Sequence, residues 1–147
     1  MALSLTRTVT FSAHHRFHVP DWSDDENRAA FGALGAPAGH GHTYRCSATV
    51  SGPLGADGTI MDLGLLDGIL GEEVVDVLDG RHLNLVVPEF AYGKLLPTCE
   101  AMAAYLFPRL ARRLPEGVHL DRVRLAEDAS LYADCTGPAE PPPETPR

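Results

Sequence analysis

The chain has 147 residues, 44% of them hydrophobic, which suits one soluble domain with a core of its own. Twenty acidic against twelve basic side chains leave a formal net charge of −8 with the histidines neutral. A single lysine, Lys94, and scattered arginines argue against a nucleic-acid partner, and no apolar run approaches the roughly 20 residues that cross a bilayer.

Leu3 to Phe17 alternates β-type residues and reads as a first strand. The segment from 19 to 39 has no apolar period and is expected to be a long loop, of the kind that often covers a site. Trp22 within it is either a packing anchor for that loop or part of the cover. A second strand runs from about His40 to Gly52. Asp62 is an N-cap candidate for a first helix, whose apolar positions are Leu66, Ile69, Leu70, Val74, Val77 and Leu78. Asp79-Gly80 ends it, and 81–88 reads as an irregular connection.

Thr98 is expected to cap a second helix, with Pro108 inside it predicting a kink or break. Val118 to Tyr132 gives two strands or one bent one. The order is ββααββ, an α+β fold with antiparallel strands and helices on one face. The domain is placed at 1–135. The Pro-rich stretch 136–147 has nothing to bury and reads as a disordered tail.

Three distant cysteines, Cys46, Cys99 and Cys135, give no disulfide framework and point to a reducing compartment. Met1–Arg7 lacks the pattern of a signal peptide, so the expected location is cytoplasmic.

The chemistry concentrates in the histidines. His40-Gly41-His42 opens the second strand, where residues two apart share a face. His15 lies on one face of the first strand with Phe11, Ala13 and Phe17. If the two strands pair, three imidazoles converge, a pattern suited to a metal. His14 points the other way, and His18 and His119 read as surface residues. Cys46 shares the face of His42 and Tyr44 and reads as a core cysteine.

The ordered set of motifs resembles the 6-pyruvoyl-tetrahydropterin synthase family, which includes bacterial 6-carboxytetrahydropterin synthases. It comprises Phe11-Ser12-Ala13-His14-His15-Arg16, Phe31-Gly32, Gly39-His40-Gly41-His42-Thr43-Tyr44, Leu78-Asp79, Leu83-Asn84, Pro97-Thr98-Cys99-Glu100 and Glu127, across residues 5 to 135. The resemblance implies a T-fold, whose protomers close a β-barrel as trimers that stack into hexamers, with sites between protomers. It implies a Zn2+ ion on His15, His40 and His42, the set the strand argument selects. It also implies a pterin held by Glu127 and bordered by Thr98 and Glu100. Thr98 could equally be only a helix cap, Glu100 only a first-turn acid, and Glu127 a solvated strand residue.

The sequence departs from that family where protons move. The family's cysteine lies six residues before the first histidine of His-Gly-His in animal-type members and four before it in bacterial ones. These positions are Leu34 and Ala36. The family's Leu-Asp-His becomes Leu78-Asp79-Gly80. Asp79 remains, and His82, with an ordinary pKa near 6.5, is a candidate replacement base or a surface residue. Cys99 stands where the family has serine or threonine, and Glu26, the nearest loop acid, has the wrong spacing for a substitute.

The expectation is a zinc-dependent lyase or cyclase acting on a pterin-like small molecule with altered chemistry, using Asp79 and His82. The alternatives are zinc-assisted chemistry on a non-pterin substrate and a non-catalytic binding or structural subunit.

Overall fold

The computed structural model describes residues 2–138. Strand β1 (Ser4–His15) pairs antiparallel with β2 (His40–Ser51) along its whole length, from Ser4 opposite Ser51 to His15 opposite His40. Between them lies α1 (Asp24–Phe31). After β2 come α2 (Leu63–Leu70), α3 (Asp76–Leu78), β3 (Arg81–His82), α4 (Leu83–Val86), α5 (Cys99–Ala111), β4 (His119–Ala126) and β5 (Tyr132–Cys135). The sheet order is β3-β1-β2-β4-β5, antiparallel except where β3 joins β1. The sheet does not close on itself among the described residues. The edge of β1 beyond Ala13 and His14 meets no further strand among the described residues.

The alternation along β1 and β2 decides which way the sheet faces. Phe11, Ala13, Tyr44, Cys46, Ala48 and Val50 point to the helices and are buried. Leu66, Ile69 and Leu70 of α2 and Met102, Leu106 and Leu110 of α5 close over them. Each such side chain contributes roughly 1.5–3 kcal/mol by leaving water. Phe11 stacks on Tyr44 at 5.0 Å between ring centroids. The opposite face carries Thr6, Thr8, Ser12, Thr43, Arg45 and Ser47 and, among the described residues, no helix, as is common for antiparallel sheets. Its hydroxyls pair across the strands, Thr6 with Thr49 at 2.7 Å and Thr8 with Ser47 at 2.7 Å.

Four expectations are corrected. The 19–39 segment is not a bare loop, because Ser23 and Glu26 form a capping box that starts α1. Asn27 of that helix is buried and ties it to the chain leaving β1, its amide bonding the N–H and C=O of Val19. The first long helix is interrupted by a π-helical turn, Gly71–Val75, between α2 and α3. The 81–88 connection contains β3 and α4, and α5 runs unbroken through Pro108, which lies on the exposed side of the helix. The carboxy-terminal reading resolves into two strands, β4 and β5. The expected tail lies outside the described residues from 139 onward.

Buried Asn84 is the main polar pin beneath the site. Its Oδ1 accepts the backbone N–H of Arg16 at 2.8 Å, and its Nδ2 donates to the Phe90 carbonyl at 3.1 Å. Asn84→Ala is expected to lower unfolding free energy by about 2–4 kcal/mol, since it removes two bonds and orphans buried backbone groups. Urea denaturation measures it, and a loss under about 0.5 kcal/mol would show that water replaces the amide.

Candidate metal and substrate site

The strand pairing places the three histidines without any long-range search. His15 lies directly opposite His40, and Ala13 opposite His42, all on the helix-facing side. Their candidate ligand nitrogens lie within 4.8 Å of one another. The His15 Nε2 and His40 Nε2 are 2.8 Å apart, and the three rings meet edge to face at 4.5, 4.9 and 5.0 Å.

The tautomer of His15 follows from its partners. The Pro97 carbonyl, 2.9 Å from Nδ1, can only accept, so Nδ1 carries the proton. The Nε2 lone pair is therefore directed at the cluster. The Tyr44 hydroxyl lies 3.1 Å from the same Nδ1 and steadies the ring. Such outer contacts are the usual way a metal-binding imidazole is oriented. Burial, then the neighbouring His40, push the His15 imidazole down to about 4. Burial, followed by His42 and His14, also lowers His40. Both rings are thus held neutral, the form that binds a cation.

His42 Nε2 is buried and lacks a hydrogen-bond partner. The Glu127 carboxylate stands 3.5 Å from it, too far for a good hydrogen bond. An orphaned imidazole nitrogen beside two others fits a metal ion, and an all-imidazole set that leaves coordination positions open suits catalytic zinc.

Glu127 follows the end of β4, and its backbone N–H donates to the Leu131 carbonyl at 3.1 Å. Cys99 is buried beside it, and burial, then the Glu127 charge, push the thiol up to about 11. A thiol so placed stays protonated and is a poor nucleophile. Burial, then Glu127 and Cys99, raise the Tyr44 phenol as well.

The other expected site residues are placed as follows. Thr98 caps α5, its Oγ1 accepting the Ala101 N–H at 3.1 Å, directly after Pro97. Glu100 is exposed in the first turn of that helix. Asp79 accepts the Ser12 N–H at 2.8 Å, and Gly80 N–H donates to the Ser12 carbonyl, so the pair fastens the end of α3 to β1. His82 lies beside His14 in the β3–β1 ladder, with its Nε2 close to Gly39. Asp79 and His82 therefore stand at the β1 edge, whereas Glu127 stands beside the triad.

The sequence reasoning missed three neighbours of the site. Tyr44 was within reach of it, since it continues the alternation of His40 and His42. Pro97 acts through a carbonyl, which no side-chain pattern reports. Cys99 stands out in the sequence only by replacing the family's serine or threonine, which does not report its place beside Glu127. Trp22 stacks on Phe31 at 6.0 Å, Phe31 meets Phe17 edge-on at 5.9 Å, and Phe17 packs tilted against His15 at 4.8 Å. Trp22 thus anchors the segment, and that segment does reach the site.

The chain is similar to known proteins over most of its length. The family model described as 6-pyruvoyl tetrahydropterin synthase matches residues 4–138. The 6-pyruvoyl tetrahydrobiopterin synthase of Homo sapiens is 37% identical over 124 residues, covering 84% of this chain and 83% of its own. A dihydroneopterin monophosphate aldolase of Pyrococcus furiosus is 28% identical over 119 residues, 81% of this chain and 84% of its own. Among solved structures, the Caenorhabditis elegans 6-pyruvoyl tetrahydropterin synthase superposes with a TM-score of 0.83 at 28% identity, covering 93% of this chain and 96% of that one.

Proposed function

Because the chain belongs to the 6-pyruvoyl tetrahydropterin synthase family, we propose that it is a zinc-dependent lyase or cyclase acting on a pterin-like small molecule by an altered reaction. The observation that carries this reading is the convergence of His15, His40 and His42 with the Glu127 carboxylate beside them, next to a segment that has lost its expected thiol. The relatives named above are a synthase and an aldolase, so this scaffold already serves more than one pterin reaction.

His15, His40 and His42 would hold the zinc. The ion, when bound, polarises a substrate oxygen and acidifies the carbon next to it. Glu127 accepts hydrogen bonds from the amino-pyrimidine edge of the substrate, an acceptor pair matched to adjacent N–H donors. Thr98 and Glu100 border that edge. Asp79 and His82 move the proton. His82 has the imidazole that Gly80 lacks, and the positive φ of 71° at Gly80 turns the chain toward β3, where His82 sits. The unclosed sheet supports a homo-oligomer, a trimer or hexamer in which strand edges meet. Three free cysteines accord with a cytoplasmic protein.

A second reading keeps the metal and changes the substrate to a non-pterin, which Leu34, Ala36 and Gly80 at the relay positions favour. Calorimetry with a panel of reduced pterins separates the two. Wild type is expected to bind one of them, and Glu127→Gln to weaken it by about 10- to 150-fold, the 1.5–3 kcal/mol of a charge-assisted contact. No binding by wild type, or unchanged binding by the variant, selects the non-pterin reading.

A further inference from the structure

We infer that Glu127 is a fourth metal ligand while no substrate is bound, and that a substrate opens the site by drawing this carboxylate away. The inference rests on the zinc and pterin reading above and gives Glu127 two alternating positions. Period two along β4 buries Leu125 under the helices and turns Ala126 to the open face. It returns Glu127, the next residue, to the side of the three histidines. The Glu127 Oε2 stands 3.5 Å from His42 Nε2, a buried nitrogen with no hydrogen-bond partner. That spacing is too long for a good hydrogen bond. It is close to the ~3.4 Å between two donors of one tetrahedral zinc, each about 2.0–2.1 Å from the ion. The cluster that converges within 4.8 Å holds the three histidines alone among the described residues. The carboxylate therefore waits at its rim and joins it by a turn of the side chain.

Among the described residues this carboxylate has no other polar partner, although its side chain is only 15% exposed. Neither nearby guanidinium compensates it. Arg124 forks onto Asp134 at 2.8 and 3.0 Å, and Arg45, opposite Ala126, projects from the other face of β2. Cys99 and Tyr44 keep their protons, pushed up by burial and then by the Glu127 charge. A poorly solvated carboxylate is costly unless a cation meets it. Asp128 is not a rival, since its Oδ1 already accepts from the Ser130 N–H, the Ser130 hydroxyl and the Leu131 N–H. Those bonds, with the Glu127 N–H on the Leu131 carbonyl, fix the 127–131 turn and leave the Glu127 side chain as the moving part. A molecule with paired N–H groups offers the carboxylate an alternative partner. Such a molecule frees a coordination position, and one without those donors leaves it closed.

The test loads the full chain with cobalt(II), whose visible absorption reports its ligands, and titrates it with imidazole, a neutral probe for a free position. Wild type is expected to bind imidazole at least about 10-fold more weakly than Glu127→Gln. Glu127→Asp keeps the charge and shortens the reach by one carbon, so it should bind imidazole as Glu127→Gln does. Equal affinity in wild type and Glu127→Gln overturns the ligand. Wild-type behaviour in Glu127→Asp also overturns it, because charge alone then accounts for the difference. A second arm adds dihydropterin, which carries the amino-pyrimidine edge and no side chain to reach the metal. Saturation with it, followed by calorimetry, should raise imidazole affinity in wild type and leave Glu127→Gln unchanged. Unchanged affinity in saturated wild type overturns the exchange. If dihydropterin does not bind, the pterin reading fails by itself, and the imidazole comparison of the three proteins still decides whether Glu127 is a ligand. Wild type that takes up no cobalt overturns the whole inference.

Discussion

Elemental analysis of the purified protein is expected to return about one zinc per chain, and the triple variant His15→Ala, His40→Ala, His42→Ala to return almost none. The expectation rests on three nitrogens converging within 4.8 Å and on a tautomer of His15 fixed by Pro97. Each single alanine variant should lower affinity by more than the 10- to 100-fold typical of losing an outer contact, since it removes a ligand itself. The triple variant should fold, because His40 and His42 are only partly buried and only His15 lies fully in the interior. Circular dichroism checks that point independently. Zinc retained at full stoichiometry by a folded triple variant would place the metal elsewhere.

The second large effect is on the family's usual substrate, dihydroneopterin triphosphate. Wild type is expected to show little or no turnover, because an essential general base commonly supplies about 10²- to 10⁴-fold and two relay positions hold Leu34 and Gly80. The double variant Leu34→Cys, Gly80→His is expected to gain turnover. The Leu34 carbonyl accepts the Phe17 N–H at 3.1 Å, so position 34 is tethered two residues from His15 with its side chain exposed. A thiol there would be solvent-accessible, unlike buried Cys99. Gly80 has a φ of 71°, so His at that position carries backbone strain, and the gain should fall short of a native relay. Chromatography after incubation reads the product. Wild-type turnover on the order of 1 s⁻¹ or more would show that the missing groups are not needed.

The part of the site legible in the sequence was the part built from side-chain alternation. His15, His40 and His42 follow from period two in paired strands, and the register makes His15 and His40 direct partners. What escaped was local or mediated by backbone. Helix α1 is polar along most of its length, and its one buried side chain is Asn27, so no apolar stripe announces it. The signal that could have found it was the pair Ser23 and Glu26, three residues apart. Strand β3 is two residues long and pairs with β1 across a wide sequence gap, which no local propensity encodes. The link from His15 to Pro97 spans 82 positions and uses a carbonyl. Pro108 misled in the other direction, because α5 continues past it to Ala111 with the ring on the exposed side of the helix.

Gly39 bears on how substitution data for this protein should be interpreted. Its φ is 71°, and a methyl group there would stand 2.9 Å from the His15 carbonyl and 3.1 Å from His82 Nε2. Its own N–H closes a turn onto the Ala36 carbonyl at 2.8 Å. In a saturation screen scored by product formation, nearly every replacement at this position should fail, as for a reactive group, yet glycine offers no chemistry. Position 41 would separate the two meanings of such a score. A methyl group there meets the ring of His14, an exposed side chain that can swing aside. Intolerance at 39 beside tolerance at 41 is the signature of a backbone crossing. It marks where the mould of the site is rigid, not where its reagents are.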